Sequence, residues 1–134
     1  VNSRNVCVLA TLDNDRPYCS LMNYVTDESC RDFYMVTLRN SNKYRNLLAN
    51  PRVSLLVDSR ENAPLSSSQA LTVEGIFEPV AEDGKRNWAL TRLIDRNPLL
   101  KDFISLPDVD VICIRAQSFL LLDGISDARY VKLT

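Results

Sequence analysis

Residues 37–55 read T-L-R-N-S-N-K-Y-R-N-L-L-A-N-P-R-V-S-L, and this stretch decides how the chain folds. A run of β-forming residues ends at Leu38. Asn40 or Ser41 then offers a side-chain oxygen suited to cap a helix. Tyr44, Leu47 and Leu48 recur at helical spacing. Asn50 before Pro51 stops the helix, because the residue preceding a proline is pushed toward extended backbone. A helix over 40–50 is therefore expected, with a new strand over 52–58 around V-S-L-L-V. One short helix is set between two strands.

Working outward, residues 6–12 (V-C-V-L-A-T-L), 18–26 and 33–38 (F-Y-M-V-T-L) read as three strands. Asp13-Asn14-Asp15, followed by Pro17, and Asp27-Glu28-Ser29 supply turn chemistry between them, as in a β-meander. Beyond the helix comes a polar loop over 59–68. A long strand over 70–80 follows, with Gly75 at a bulge and Pro79 at an edge or end. Residues 82–96 read as a helix capped by Asp83, with Trp88, Ala89, Leu93 and Ile94 on one face. Pro98 opens a second short helix to about 105. Two strands, 109–115 and 119–122, turn near Ala116-Gln117-Ser118, and the tail 128–133 pairs or packs. About six strands with few helices make a mainly β chain, closed as a barrel or sandwich.

The chain has 134 residues, which fits one domain over 1–134. Lys plus Arg is 16 and Asp plus Glu is 17, a net charge of −1, so no overall charge draws it to nucleic acid or an anionic membrane. The chain has no His. That excludes Ser-His-Asp and Cys-His catalysis, imidazole metal sites and His-ligated haem. Its three glycines, Gly75, Gly84 and Gly124, stand too far apart for a dinucleotide or P-loop fingerprint. Cys7, Cys19, Cys30 and Cys113 form no C-x-x-C pair, which leaves no zinc-ribbon or thioredoxin signature. Cys7, Cys19 and Cys113 lie in apolar runs and read as buried thiols. No leader pattern precedes the first strand and no apolar run approaches ~18 residues. A reduced, cytoplasmic protein is the expectation. The chain opens on Val1 rather than Met, which points to residues missing ahead of it.

Chemistry concentrates where the helix begins. The first turn of a helix has unpaired N–H groups and the positive end of the dipole, so it attracts anions. Ser41 and Asn42 add polar contacts and Lys43 a full charge, with Arg39 and Arg45 nearby. A lysine in a first turn opposes the dipole, and a bound phosphate would answer it. The plain alternative is a solvated lysine beside an ordinary cap. Elsewhere, Tyr24 reads either as ligand-facing or as a strand aromatic, and Trp88 as a stacking or a core residue. Met22 and Met35 read as core, and Phe33 and Tyr34 as barrel packing. Asp108 and Asp110 read as turn chemistry. No catalytic acid–base pair and no metal site can be written.

The wider pattern is Thr37, Ser41-x-Lys43, Leu47, then Asn50-Pro51-x-Val53-x-Leu55, after a meander with Pro17 leading its second strand. It resembles the pyridoxamine 5′-phosphate oxidase-like FMN-binding split-barrel family, and the order of elements is similar over about residues 5–125. The resemblance implies a Greek-key split β-barrel, homodimeric, with FMN at the subunit interface and a small-molecule substrate that it does not specify. It places Ser41, Asn42 and Lys43 on the FMN phosphate, with Val36 and Thr37 near the flavin ring. It runs the strand Ser20, Leu21, Met22, Asn23 and Tyr24 along that ring, and brings Ser68 and Gln69 from the partner subunit. Where these oxidases carry a phosphate-binding arginine in the second strand, this chain has Cys19, and Arg39 or Arg45 are the replacements at hand. The C-terminal Arg and His that serve their substrate have no counterpart. The implied function is an FMN-dependent oxidoreductase. The alternative is a flavin, haem or deazaflavin binding or redox-sensing module on the same barrel.

Overall fold

The structure is a computed structural model, which describes residues 6–58, 69–123 and 127–133. The expected loop 59–68 lies outside the described residues. Strands β1 (Val6–Asp13) and β2 (Arg16–Asn23) form a hairpin over Asn14-Asp15. Asn14 takes φ 58°, the left-handed conformation that tight hairpin turns require and that Asn tolerates. β3 (Val25–Thr26) and β4 (Asp32–Leu38) form a second hairpin, then α1 (Asn42–Ala49), β5 (Arg52–Asp58) and β6 (Gln69–Pro79) follow. Two helices, α2 (Asp83–Arg96) and α3 (Leu100–Ile104), precede β7 (Val109–Asp123) and β8 (Asp127–Lys132).

Among the described residues all eight strands belong to one antiparallel sheet in the order β2-β1-β5-β6-β7-β4-β3, with β8 added against β7. β2 and β3 stand at opposite ends of this order yet are separated in the chain by Tyr24 alone. The sheet therefore curls until its ends meet, which gives the mainly β split barrel. Its inward row includes Leu9, Met35, Leu55, Val73, Ile112 and Ile114, all essentially inaccessible. α1 closes one end through Leu47 and through Asn46, whose Nδ2 donates to Thr11 Oγ1 at 3.2 Å. A buried polar pair is tolerated there because each partner satisfies the other.

Several expectations change in three dimensions. The run 18–26 is not one strand. It breaks at Tyr24, and its second part pairs with β4, so the first three strands are not a simple meander. The runs 109–115 and 119–122 are one continuous strand. The ladder slips at Glu74/Gly75, where a bulge takes up the polar A-Q-S segment. Gly75 is required there: a Cβ would stand 2.7 Å from Ile114 Cγ2 and 2.8 Å from Arg115 O. Asp83 is the first helical residue rather than the cap, where its charge still complements the dipole. Cys19 is exposed rather than buried, because its strand lies at the end of the order and the residue points outward. The tail pairs as β8.

Candidate functional site

α1 begins at Ser41, whose extended backbone and hydroxyl make it the N-cap: Oγ accepts from Tyr44 N at 3.1 Å. Thr37, buried at the end of β4, lies 3.2 Å from the same hydroxyl through Oγ1. Lys43 runs back from the first turn to β2. Its Nζ donates to Met22 Sδ at 3.3 Å, and among the described residues it forms no ion pair. Burial lowers its pKa. A half-buried ammonium whose only partner among the described residues is a thioether, a weak acceptor, keeps most of its bonding capacity for an anion. Thr37, Ser41, Lys43 and Met22 thus come together as one cluster between α1, β2 and β4.

The remaining expected residues divide. Asn42 opens α1, and its Oδ1 accepts from Arg45 Nη2. Ser20 is half-buried on the inward row beside Leu9, and Tyr24 packs on Phe33 with ring centroids 5.4 Å apart. Asn23 Oδ1 accepts from Asn97 Nδ2 at 3.4 Å. Leu21 points outward and is exposed, and the Val36 side chain is sealed in the core beneath α2. Gln69 is paired with Asp123 at the far end of β7, roughly 40 Å along the strand from Thr37 at ~3.3 Å per residue. One copy of the chain does not bring Gln69 to the cluster. Ser68 lies outside the described residues.

Asp110, read from sequence as turn chemistry, is a hub. It pairs with Thr37 across the β4–β7 ladder. Its carboxylate accepts from Tyr44 Oη at 3.0 Å and from Arg86 Nη1, and stands 3.6 Å from Arg39 Nε. Burial pushes its pKa up, but the Arg86 and Tyr44 hydrogen bonds and the two arginine charges outweigh this and hold it below the usual range. Burial, then the bond to Asp110, raises the Tyr44 phenol and keeps it a donor. The signal was an acid set inside the buried run V-D-V-I-C-I, where an unpaired carboxylate would be costly. The hub also separates the two arginines: Arg39 is engaged by Asp110, whereas Arg45 lies over the first turn, with Nη1 3.4 Å from Asn40 O.

Two open clefts lie elsewhere, at the β6–β7 bulge. One of about 540 Å³ is edged by Arg31, Asp32, Glu78 and Arg115, and one of about 520 Å³ by Thr11, Arg52 and Glu74. They share Ile76 and Gln117, and none of the residues expected to touch FMN lines them. Among the described residues no group of acids and cysteines is arranged to hold a metal, and no helix is long and apolar enough to cross a membrane. All four cysteines are free, and burial pushes Cys7 and Cys113 up to about 12.

The family described as pyridoxamine 5′-phosphate oxidase matches the chain over residues 1–123. The chain belongs to the pyridoxamine 5′-phosphate oxidase family. Among solved structures, this family member is similar to a haem-binding protein from Mycobacterium smegmatis, with 26% identity and a TM-score of 0.82 over 97% of this chain and 53% of that one. It is similar to HutZ, the haem storage protein of Vibrio cholerae, with 20% identity and a TM-score of 0.74 over 92% and 91% of the two chains. A third is General Stress Protein 26 of Bacillus anthracis, with 22% identity and a TM-score of 0.71 over 97% and 90%. The chain spans about half the length of the Mycobacterium protein. No curated protein sequence matches it.

Proposed function

We propose that this member of the pyridoxamine 5′-phosphate oxidase family binds FMN at the first turn of α1 and acts as a flavin-dependent oxidoreductase on a small molecule. The observation that carries the reading is Lys43, a half-buried cation at a helix N-terminus beside Ser41 and Thr37, with only a thioether for a partner among the described residues. When bound, FMN supplies the hydride chemistry from its own ring. The chain's residues then need only bind and orient. Ser41, Asn42 and Lys43 would hold the phosphate. Thr37 and the backbone of Val36 and of 20–24 would follow the ring.

The reading includes a homodimer. A row of register partners crosses the outer face of the sheet: Leu21, Val8, Leu56, Thr72, Leu120 and Tyr130. Leu21 is 74% exposed, Leu56 40%, Leu120 41% and Tyr130 60%. A second copy laid on this stripe would cover it, and would be the route by which Gln69 reaches the flavin. The reading treats residues 1–134 as one domain. Its free thiols support a reducing, cytoplasmic setting.

The visible spectrum of the purified protein, with and without added FMN, tests the cofactor. Bound flavin bands that NADH or NADPH bleaches support an oxidoreductase, bands that no nicotinamide bleaches favour a binding module, and failure to take up FMN overturns the reading. A haem-binding module is the second reading, favoured by the names of the Mycobacterium and Vibrio proteins. Without His, its axial ligand would have to be Cys, Met, Tyr or Lys. A Soret band on titration with haem, and no flavin uptake, would select it.

A further inference from the structure

We propose that Tyr44 and Asp110 form a pin that positions the phosphate cradle without touching the ligand. The proposal rests on the FMN reading and adds to it two residues that act through others. Four links close a ring. Tyr44 N donates to Ser41 Oγ at 3.1 Å, and Tyr44 Oη donates to Asp110 Oδ2 at 3.0 Å. Asp110 faces Thr37 across the β4–β7 ladder, and Thr37 Oγ1 lies 3.2 Å from Ser41 Oγ. The cap of α1 is thereby tied to the sheet through a side chain that starts inside the first turn.

α1 needs such a tie. It is 8 residues long, with no acid in its first turn and no base in its last. A helix of about two turns is not stable alone, and its placement comes from tertiary contacts. Leu47 and Asn46 anchor its second turn. The first turn, where Asn42 and Lys43 sit, is held by the Tyr44 ring, edge-on to Phe77 at 6.3 Å, and by the Tyr44 hydroxyl. Arg86 from α2 holds the other carboxylate oxygen, Oδ1, and Arg39 from the preceding loop stands 3.6 Å from Oδ2. The Tyr44 hydroxyl is spent on Asp110, so it serves the ligand by orientation alone. Binding groups kept in place by such supports bind more tightly than groups that must be ordered first.

The test is Tyr44→Phe, which deletes one oxygen and keeps the ring packing and every charge. Amide exchange of residues 42–45 in the ligand-free protein should accelerate severalfold, with β6 unaffected. The FMN dissociation constant should rise roughly tenfold, the usual scale for losing a hydrogen bond to a charged group, while that for riboflavin stays within about twofold. Unchanged exchange, an unchanged ratio of FMN to riboflavin affinity, or equal losses for both ligands each overturn the pin. A wild-type protein that binds FMN no better than riboflavin instead overturns the phosphate cradle, and the exchange rates still judge the pin.

Discussion

The outer face of the sheet is apolar in two places and is treated differently in each. Over β4 and the first part of β7, Tyr34, Val36, Val111 and Cys113 are sealed by Ala89 and Leu93 of α2. Over β1, β5, β6 and the rest of β7, the stripe from Leu21 to Tyr130 has no helix above it among the described residues. β4 is buried on both faces from Asp32 to Thr37 whereas β1 alternates between buried and half-buried residues, and connectivity accounts for the difference. The β6–β7 crossover is long enough to carry α2 and α3 back over one half only. The covered half adds to the chain's own stability, and the bare half is the surface that the proposed homodimer would cover.

The largest effect should come from the covered half. Leu93→Ala removes a fully buried side chain and should cost about 3 kcal/mol of unfolding free energy, read from chemical denaturation. A loss below about 1 kcal/mol would mean that α2 sits loosely and that the two halves differ less than their burial implies. Next comes the bare half. Leu56→Asp should leave the unfolding of the single chain within about 0.5 kcal/mol, since the position is exposed. It should raise the dimer dissociation constant by about a hundredfold, as expected for an unpaired charge in an apolar contact. Sedimentation at graded concentrations checks this, and a wild-type monomer throughout would remove the bare half's assigned purpose. FMN affinity should fall with the dimer if Gln69 arrives from the second copy.

Local features are more legible from the sequence than either half of the outer face. The α1 cap, the stop at Asn50-Pro51 and the Gly75 bulge rest on chemistry within a few residues, and all three stand. The stripe could not be read, because it joins residues from six strands whose registers are set by pairing rather than by any local pattern. The Asp110 hub failed for the same reason: its partners lie at positions 39, 44, 86 and 37. Even Cys19 was misplaced, since an apolar run gives the alternation of a strand but not which strand ends the sheet. The cluster of Thr37, Ser41 and Lys43 was legible because a strand end and a helix start place it within seven residues.

The cradle at the α1 end sharpens the comparison by a substitution that should touch neither half. Lys43→Ala should weaken FMN by about tenfold to a hundredfold, the range for a charge-assisted bond to phosphate, and riboflavin by far less. The sedimentation behaviour should not change. Equal losses for both flavins would deny Lys43 the phosphate, and a shift in mass would tie the cradle to the bare half.

The smallest effect is on the ligand-free chain and follows from the same amine. Burial depresses the pKa of Lys43 in the folded state, against an ordinary value of ~10.4 when unfolded. Between those two values the unfolded chain binds more protons, so stability rises with pH across that window. Below it the cost of burying the ammonium is felt in full. Lys43→Met keeps the stem and removes the charge. It should stabilise the ligand-free protein at pH 7 by about 0.5 kcal/mol or less, because the amine is only half-buried and solvent screens it. The gain should shrink as the pH climbs toward 10. Urea midpoints at pH 7 and pH 9.5, at fixed ionic strength, measure it. A Lys43→Met protein less stable than wild type at pH 7 would mean that the ammonium already has a favourable partner. Saturating FMN should reverse the order of the two proteins, because the anion that repays the buried charge is then present only for lysine.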